Sequence, residues 1–230
     1  MPNGAQNAEP TLRSASQVDG ARLQDPLGYE RGFWSRGLSG VAGVDEVGRG
    51  PLAGPVVAAA VVLPPGTCVA GVQDSKVLSA GAREEAAAEI LRVAVAVGIG
   101  AASVREIDRF NILRSTARAM DRALRQLELR LAAAPDHIVV DGLPVRDLPW
   151  EHEAVVGGDG TIHSVSCASV VAKVCRDRLM IRLHARYPEY GWASNVGYGT
   201  NEHREAIDRM GLTPHHRSTF GLLQLDLFKA

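Results

Sequence analysis

The sequence has few cysteines, no long hydrophobic run and no excess of charge of either sign. Its three cysteines, Cys68, Cys167 and Cys175, form no C-x-x-C pair, which argues against a disulfide framework and a thiolate zinc site. No apolar run approaches the roughly 20 residues that span a bilayer, and the N-terminal region lacks the basic and apolar segments of a secretory signal. We therefore expect a cytoplasmic protein with no membrane partner.

The balance of charge leaves the class of partner open. Lys and Arg total 25 against 26 Asp and Glu, so a nucleic-acid partner would have to be recognised through a local basic surface. A chain of 230 residues with 46% hydrophobic content fits one domain with a sizeable core. We predict a disordered extension over 1–25, a folded domain over 26–220 and a short tail over 221–230.

Hydrophobic patterning predicts strands first and then an alternation of helices and strands. The predicted strands are 41–47, 55–63, 93–103 and 137–141. The predicted helices are 26–37, 79–91, 111–134, 163–186 and 201–210. This order is typical of an α/β domain in which helices cover a mixed sheet.

An adjacent pair of acids interrupts the first apolar strand. In V-A-G-V-D-E-V, the side chains of Asp45 and Glu46 would cost several kcal/mol of desolvation, as an order of magnitude, unless a cation compensates. The alternative is that the strand ends at Val44 and that both acids lie on a solvated loop. Because neighbouring strand residues point to opposite faces, both acids reach one site only if the strand end bends.

Two further acids follow apolar runs. Asp141 comes directly after the strand I-V-V, at a carboxyl end where open sheets present ligand sites. Asp159 follows V-V-G-G and precedes a helix. The alternatives are a structural Asp-Gly turn for Asp141, and a glycine turn or helix cap for Asp159.

A cluster of carboxylates without His or Cys indicates a hard divalent cation, Mg²⁺ or Mn²⁺, and disfavours zinc. Two such ions about 4 Å apart would activate water and stabilise the leaving oxygen of an in-line phosphoryl displacement. The chemistry predicted from the acids is phosphodiester hydrolysis.

Five motifs in order resemble type 2 ribonuclease H, also called ribonuclease HII, from about residue 29 to residue 220. They are D-E-V-G-R-G, D-S-K, V-D-G, S-C-A-S-V-V-A-K-V-C-R-D and G-Y-G-T-N-E-H. The resemblance implies a ribonuclease H-like fold: a central five-stranded mixed sheet flanked by helices, with a C-terminal helical region. It also implies a monomer whose catalytic and metal-binding acids match Asp45, Glu46, Asp141 and Asp159.

The implied activity is endonucleolytic hydrolysis of the RNA strand of RNA/DNA hybrids, and incision 5′ to single ribonucleotides in duplex DNA. The products would carry 5′-phosphate and 3′-hydroxyl ends, and the roles would be primer removal and ribonucleotide excision repair. The resemblance further implies that Gly48, Arg49 and Gly50 contact the ribose 2′-hydroxyl and that Tyr198 stacks on the neighbouring deoxynucleotide. The alternative for Tyr198 is a tyrosine in a glycine turn.

Further substrate contacts are predicted on the long helix. Ser166, Ser169 and Lys173 lie at i, i+3 and i+7 and form a polar stripe, with Lys173 as a phosphate clamp or, alternatively, a surface lysine. Asp177, four residues after Lys173, is expected to pair with a Lys or Arg. Lys76 in D-S-K is a weaker phosphate candidate.

The tail resembles the pentapeptide with which bacterial replication proteins bind the sliding clamp. The residues concerned are Gln224, Leu225, Leu227 and Phe228. The alternative is an amphipathic tail that packs on its own domain.

Four rival assignments remain to be compared. A type 3 ribonuclease H would need a substantial additional N-terminal domain, and type 1 enzymes have no adjacent Asp-Glu pair on the first strand. A binding module that has lost catalysis would be expected to lack one of the four acids. A metal hydrolase of small phosphoesters would be distinguished by its substrates.

Overall fold

The computed structural model describes residues 12–14, 25–72 and 78–220. Its sheet has six strands in the order β1-β6-β5-β2-β3-β4. They are β1 (Leu12–Ser14), β2 (Val41–Val47), β3 (Val56–Val62), β4 (Ala96–Ala102), β5 (His137–Asp141) and β6 (Glu153–Val156). The strands β2, β3 and β4 pair antiparallel, whereas β2, β5, β6 and β1 pair parallel. The predicted five-stranded mixed sheet is therefore confirmed as β2 to β6.

The three-residue strand β1 extends this sheet at one edge. It pairs parallel with β6, Leu12 opposite Ala154 and Ser14 opposite Val156. These three residues fall within the extension predicted as disordered over 1–25, and the open edge of β6 offers them backbone hydrogen-bonding groups. The predicted contacts Lys76, Gln224, Leu225, Leu227 and Phe228 lie outside the described residues.

The helices confirm most of the sequence prediction. They are α1 (Gly28–Trp34), α2 (Ala80–Val93), α3 (Val104–Leu131), α4 (Gly158–Thr161), α5 (His163–His184), α6 (Trp192–Asn195) and α7 (Asn201–Met210), with a 3₁₀ turn at Pro188–Tyr190. Ser79 caps α2 by accepting a hydrogen bond from the Ala82 N–H, as its position before the helix predicts.

Helix α3 begins seven residues before its predicted start. Ser103 and Glu106 form a capping box at its N-terminus, and Asn111, the predicted first residue, is a kink with φ 68°. The side chain of Asn111 accepts a hydrogen bond from the Arg114 N–H, as an N-cap does. The sequence prediction thus located the start of the second half of this helix.

Helices cover both faces of the sheet. Even-numbered residues of β2 and β3 pack with Met120, Leu124 and Leu127 of α3. Odd-numbered residues of β3 pack with Cys167, Val171 and Val174 of α5 on the opposite face. The uninterrupted run V-V-A-A-A-V-V of β3 is buried along its whole length because it is central and covered on both sides.

Helix α5 lies in close contact with β2. A Cβ atom at Gly43 would lie 2.2 Å from the carbonyl carbon of Ser164, so only glycine permits this approach. This packing brings the polar stripe of α5 to the carboxyl end of β2.

Beyond α5, the C-terminal helical region packs around Trp192, Tyr190 and Met180, as predicted. Among the described residues, no helix is long and apolar enough to cross a membrane.

Candidate active site

Asp45 and Asp141 lie side by side at the carboxyl ends of two adjacent parallel strands. Val44 of β2 is in register with Val140 of β5, so the residues that follow them are level with each other. Both side chains belong to the sheet face covered by α5, because Val44 and Val140 pack on the α3 side. The prediction that Asp45 occupies a strand, and not a solvated loop after Val44, is confirmed.

The Asp45 carboxylate is buried, with 6% of its surface exposed. Burial, followed by the negative charges of Glu46 and Asp141, raises its pKa from 3.8 to about 8. Two hydrogen bonds favour the ionised form: one from the Ser169 hydroxyl and one of 2.7 Å from the Glu46 N–H to Oδ1. A carboxylate in this position is stabilised by a cation.

Glu46 reaches the same site from the end of β2. Burial raises its pKa, the Arg49 guanidinium lowers it, and the charge of Asp141 raises it. Arg49 Nη1 lies 3.1 Å from Glu46 Oε1. The turn that follows β2 therefore supplies a positive charge that offsets the repulsion between neighbouring carboxylates.

Asp159 lies in the four-residue helix α4 and, as predicted, precedes the long helix α5. Its N–H donates to Asp141 Oδ1 over 3.3 Å. A Cβ at Gly158 would lie 3.5 Å from the same oxygen, which is an ordinary contact distance, so this approach does not depend on glycine at that position. Helix α4 therefore brings the backbone of Asp159 against the carboxylate of Asp141.

The chemistry of the donors fits a hard divalent cation, since the carboxylates of Asp45, Glu46 and Asp141 interact at one end of the sheet and the backbone of Asp159 contacts Asp141. The buried and mutually repelling Asp45 and Glu46 are the residues that such an ion would stabilise most. In the described ranges, however, no three Asp, Glu, His or Cys side chains form a group that could hold an ion as they stand. Binding of an ion would therefore require these side chains to rearrange.

The polar stripe of α5 contacts the acids through two of its three members. Ser166 is fully buried and its hydroxyl donates to the Asp159 carbonyl at 2.7 Å and the Ile162 carbonyl at 3.0 Å. This places Ser166 behind the site, where it supports Asp159, instead of on the surface predicted to contact substrate. Ser169 contacts Asp45, and Lys173 Nζ lies 3.0 Å from Asp177 Oδ1, the type of pairing predicted for that aspartate.

The G-R-G turn lies beside Tyr198. A Cβ at Gly50 would lie 3.5 Å from Tyr198 Cε1, and 44% of the Tyr198 surface is exposed. Gly48, with φ +91°, is buried instead against Arg176, whose Nε would lie 2.2 Å from a Cβ at that position. The structure therefore brings two predicted substrate contacts together and assigns the first glycine of the motif a packing role.

Two buried arginines that sequence analysis missed hold this turn. Arg176 donates to the carbonyls of Ala53, Pro55 and Val196. Arg217 donates to the carbonyls of Gly48, Arg49 and Gly54. The only signal in the sequence was their position inside C-R-D and H-H-R-S-T-F, since isolated arginines are ordinarily surface residues.

His203 supports the Tyr198 backbone from the other side. Its Nδ1 lies 2.8 Å from the Tyr198 carbonyl oxygen, and its Nε2 accepts from the Trp192 indole N–H at 3.0 Å. Burial lowers the pKa of His203 and lowers that of His216, whose Nε2 is 3.0 Å away, to about 4. At neutral pH both imidazoles are therefore neutral hydrogen-bonding groups and not cations.

The fold and the carboxylate cluster define a nuclease of the ribonuclease H-like class. The profile of the family described as Ribonuclease HII matches residues 42–222. Ribonuclease HII of Thermosynechococcus vestitus is 54% identical over 195 residues, which cover 84% of this chain and 88% of the relative. Ribonuclease HII of Salinibacter ruber is 48% identical over 202 residues, which cover 86% of this chain and 99% of the relative. The chain belongs to the ribonuclease HII family and is thus a ribonuclease H, a metal-dependent endonuclease that acts on RNA/DNA.

Solved structures agree with this assignment. The ribonuclease H2 from Pyrococcus horikoshii OT3 has a TM-score of 0.65 and 30% identity, over 78% of this chain and 92% of that one. The RNase HII in the PCNA:RNase HII complex from Archaeoglobus fulgidus has a TM-score of 0.62 and 26% identity, over 77% and 93%. Bst-RNase HIII in complex with Mn²⁺ shows the shared fold alone, with 20% identity, a TM-score of 0.65 and coverage of 89% and 71%.

Proposed function

We propose that this chain incises duplex DNA 5′ to embedded ribonucleotides, as well as RNA strands of hybrids, and leaves 5′-phosphate and 3′-hydroxyl ends. The observation that carries the proposal is the level placement of Asp45 and Asp141 on β2 and β5, with Glu46 and Asp159 beside them. Primer removal and ribonucleotide excision in the cytoplasm are the proposed roles, performed by a monomer.

Asp45, Glu46, Asp141 and Asp159 are the proposed ligands of Mg²⁺ or Mn²⁺. Two bound divalent cations would supply the positive charge that in-line phosphodiester hydrolysis requires. The chain itself contributes the Ser169 hydrogen bond that favours the ionised form of Asp45 and the Arg49 charge that favours the ionised form of Glu46. The half-buried Lys173, paired with Asp177, is the proposed phosphate contact on the same helix.

The proposed recognition of ribose depends on the G-R-G turn and Tyr198. The turn projects beyond the end of β2, next to the acids, and Gly50 and Tyr198 border the same exposed surface. A backbone donor at a glycine can approach a sugar closely, and only a ribonucleotide presents a 2′-hydroxyl there. An exposed tyrosine ring provides a stacking surface for the adjoining nucleotide.

The test is a panel of end-labelled duplexes incubated with Mg²⁺ or Mn²⁺. It contains an RNA/DNA hybrid, a DNA duplex with one ribonucleotide, all-DNA and all-RNA duplexes, and a small phosphoester. We expect cleavage of the first two alone, with the single-ribonucleotide duplex cut 5′ to the ribonucleotide. If the hybrid is cut and the single-ribonucleotide duplex is not, the incision proposal is contradicted. Turnover of the phosphoester would favour a hydrolase of broader specificity.

A clamp partner is a second proposal, since the RNase HII of Archaeoglobus fulgidus has been solved in complex with PCNA. The proposed contact is Gln224, Leu225, Leu227 and Phe228, just after a segment anchored to α3. Asp108 accepts hydrogen bonds from the hydroxyls of Ser218 and Thr219, which anchors the end of the described chain to α3. A labelled peptide of residues 219–230 should bind a bacterial sliding clamp in fluorescence anisotropy. Equal binding by the Phe228→Ala peptide, or no binding by the native one, would refute the motif.

A further inference from the structure

The turn between β2 and β3 encloses a pair of buried guanidinium groups. Arg176 and Arg217 are exposed by 0% and 1%, and each raises the cost of charging the other. Burial lowers the pKa of both groups, that of Arg217 to about 9. Within the described residues neither lies at ion-pairing distance from a carboxylate, so their partners are backbone carbonyls. Burying two like charges is costly, and structural packing alone could be achieved with apolar residues.

The hydrogen bonds of Arg217 determine which way two peptide groups point. Its Nη1 donates to the Arg49 carbonyl at 2.9 Å, and its Nη2 donates to the Gly48 carbonyl at 2.5 Å. The described chain has no cis peptide bond, and the C=O and N–H of a trans peptide point in opposite directions. The N–H groups of Arg49 and Gly50 are therefore directed away from the guanidinium.

These two N–H groups are available for a ligand. In the described part of the chain, neither donates to a backbone or side-chain acceptor, and both residues are exposed. They lie on consecutive residues, beside Glu46 on one side and Tyr198 on the other. A cation bound to the carbonyl of a peptide group also polarises its N–H and makes it a stronger donor. Two such donors fit a single acceptor oxygen.

We propose that Arg217 is a positioning residue for ribose recognition: its guanidinium holds the Gly48 and Arg49 carbonyls inward, so that the Arg49 and Gly50 N–H groups face a 2′-hydroxyl. This inference rests on the proposed function, in which the G-R-G turn meets the sugar. Arg176 completes the support, since its side chain occupies the space that a Cβ at Gly48 would fill and its Nη2 holds the Ala53 carbonyl at 3.0 Å. Ser218 and Thr219, bonded to Asp108 of α3, hold Arg217 in place.

The test compares Arg217→Lys with the native chain and with Arg182→Lys, a conservative control at an exposed position of α5. Dissociation constants are measured in EDTA, which prevents cleavage, for a duplex with one ribonucleotide and for the matched all-deoxy duplex. The native chain and the control should prefer the ribonucleotide by about tenfold or more, the scale of one well-placed hydrogen bond to an uncharged group. Arg217→Lys should lose most of that preference while binding the all-deoxy duplex within about twofold of the native chain.

An unchanged preference in a folded Arg217→Lys protein would overturn the inference. A failure of the proposed function would be visible separately, because the native chain would then neither cut nor prefer the ribonucleotide. If Arg217→Lys does not fold, nitrogen-15 spectra of the native chain decide. The Arg217 guanidinium and the Arg49 and Gly50 amides should shift together on binding the ribonucleotide duplex and not the all-deoxy one. Amides that shift while the guanidinium does not would also overturn it.

Discussion

Arg49 Nη1 lies 3.1 Å from Glu46 Oε1, so a residue predicted to contact substrate is paired with one predicted to bind metal. The pair joins the G-R-G turn to the end of β2 across three residues. The Arg49 charge lowers the pKa of Glu46 and so favours the ionised form that a cation would bind, while Arg49 is itself a proposed substrate contact. The loading of metal and the binding of substrate are therefore expected to depend on each other.

Removing Arg49 should move the pH dependence of metal activation. The Arg49 charge lowers the pKa of Glu46 against the effect of burial, so Arg49→Ala leaves that pKa higher. A carboxylate must lose its proton to bind a cation, so the Mg²⁺ concentration for half-maximal cleavage should fall as the pH rises. In Arg49→Ala this fall should occur at higher pH than in the native chain. Arg178→Ala, which breaks the exposed ion pair with Glu84, is the control. Superimposable pH curves for Arg49→Ala and native protein would exclude the coupling.

The metal-free protein should lose stability as the pH rises. The pKa of Asp45 is raised from 3.8 to about 8 in the folded state. Its proton therefore contributes to the free energy of unfolding below about pH 4, and this contribution disappears as the pH rises through about 8. The variant Asp45→Asn is uncharged at every pH. Measured by urea unfolding in EDTA, its free energy of unfolding should exceed that of the native chain by more at about pH 9 than at about pH 5. The exposed control Asp208→Asn should show no such trend. A difference between Asp45→Asn and the native chain that does not change with pH would show that the fold does not raise the pKa of Asp45.

Ser166→Ala should destabilise the protein and impair cleavage. The lost hydroxyl donates to the Asp159 and Ile162 carbonyls, and leaving a buried acceptor without its donor costs about 1–3 kcal/mol. Ser164→Ala is a matched control on the same helix, because the buried Ser164 hydroxyl interacts with Glu30 and not with the Asp159 backbone. Urea unfolding and cleavage rates of both variants test this, and equal effects would mean that Ser166 does not support Asp159.

Glu30→Gln should gain stability over the native chain with rising pH. Glu30 Oε1 accepts from the Ser164 N–H at 2.7 Å, and burial raises the pKa of this carboxyl. The native protein therefore loses stability as the pH rises through that raised pKa, whereas glutamine keeps the acceptor without the charge. Glu30→Ala, which removes the acceptor, should be less stable than Glu30→Gln at every pH. Parallel stability curves for Glu30→Gln and native protein would show that the fold does not raise the pKa of Glu30.

The sequence predicted local elements well where apolar runs end at glycine, proline or a cap. The bounds of β2, β5 and α7 agree with prediction residue for residue. The start of α3 was misplaced because Asn111 has the character of a cap, and it does cap the second half of a kinked helix. The strand β1 was missed because its pairing with β6 spans some 140 residues and leaves no local pattern.

The candidate site was predictable in its residues and not in its geometry. An acid directly after an apolar strand can be read from sequence, but the register of Val44 with Val140 is a property of the sheet. The polar stripe of α5 was correct as a pattern, yet only packing shows that Ser166 faces the Asp159 backbone and is inaccessible. The roles of Arg176 and Arg217 were invisible because the carbonyls that hold them come from distant turns.

The most direct test of the central claim is cleavage of a duplex with one ribonucleotide by the native chain, Asp45→Asn, Asp141→Asn and the exposed control Asp208→Asn, with Mg²⁺ or Mn²⁺. The native chain and the control should cut 5′ to the ribonucleotide, and both site variants should lose about a hundredfold or more of that rate, as expected for removal of charge at a metal-dependent centre. Cleavage that survives both substitutions in folded protein would contradict the placement of the active site at the ends of β2 and β5.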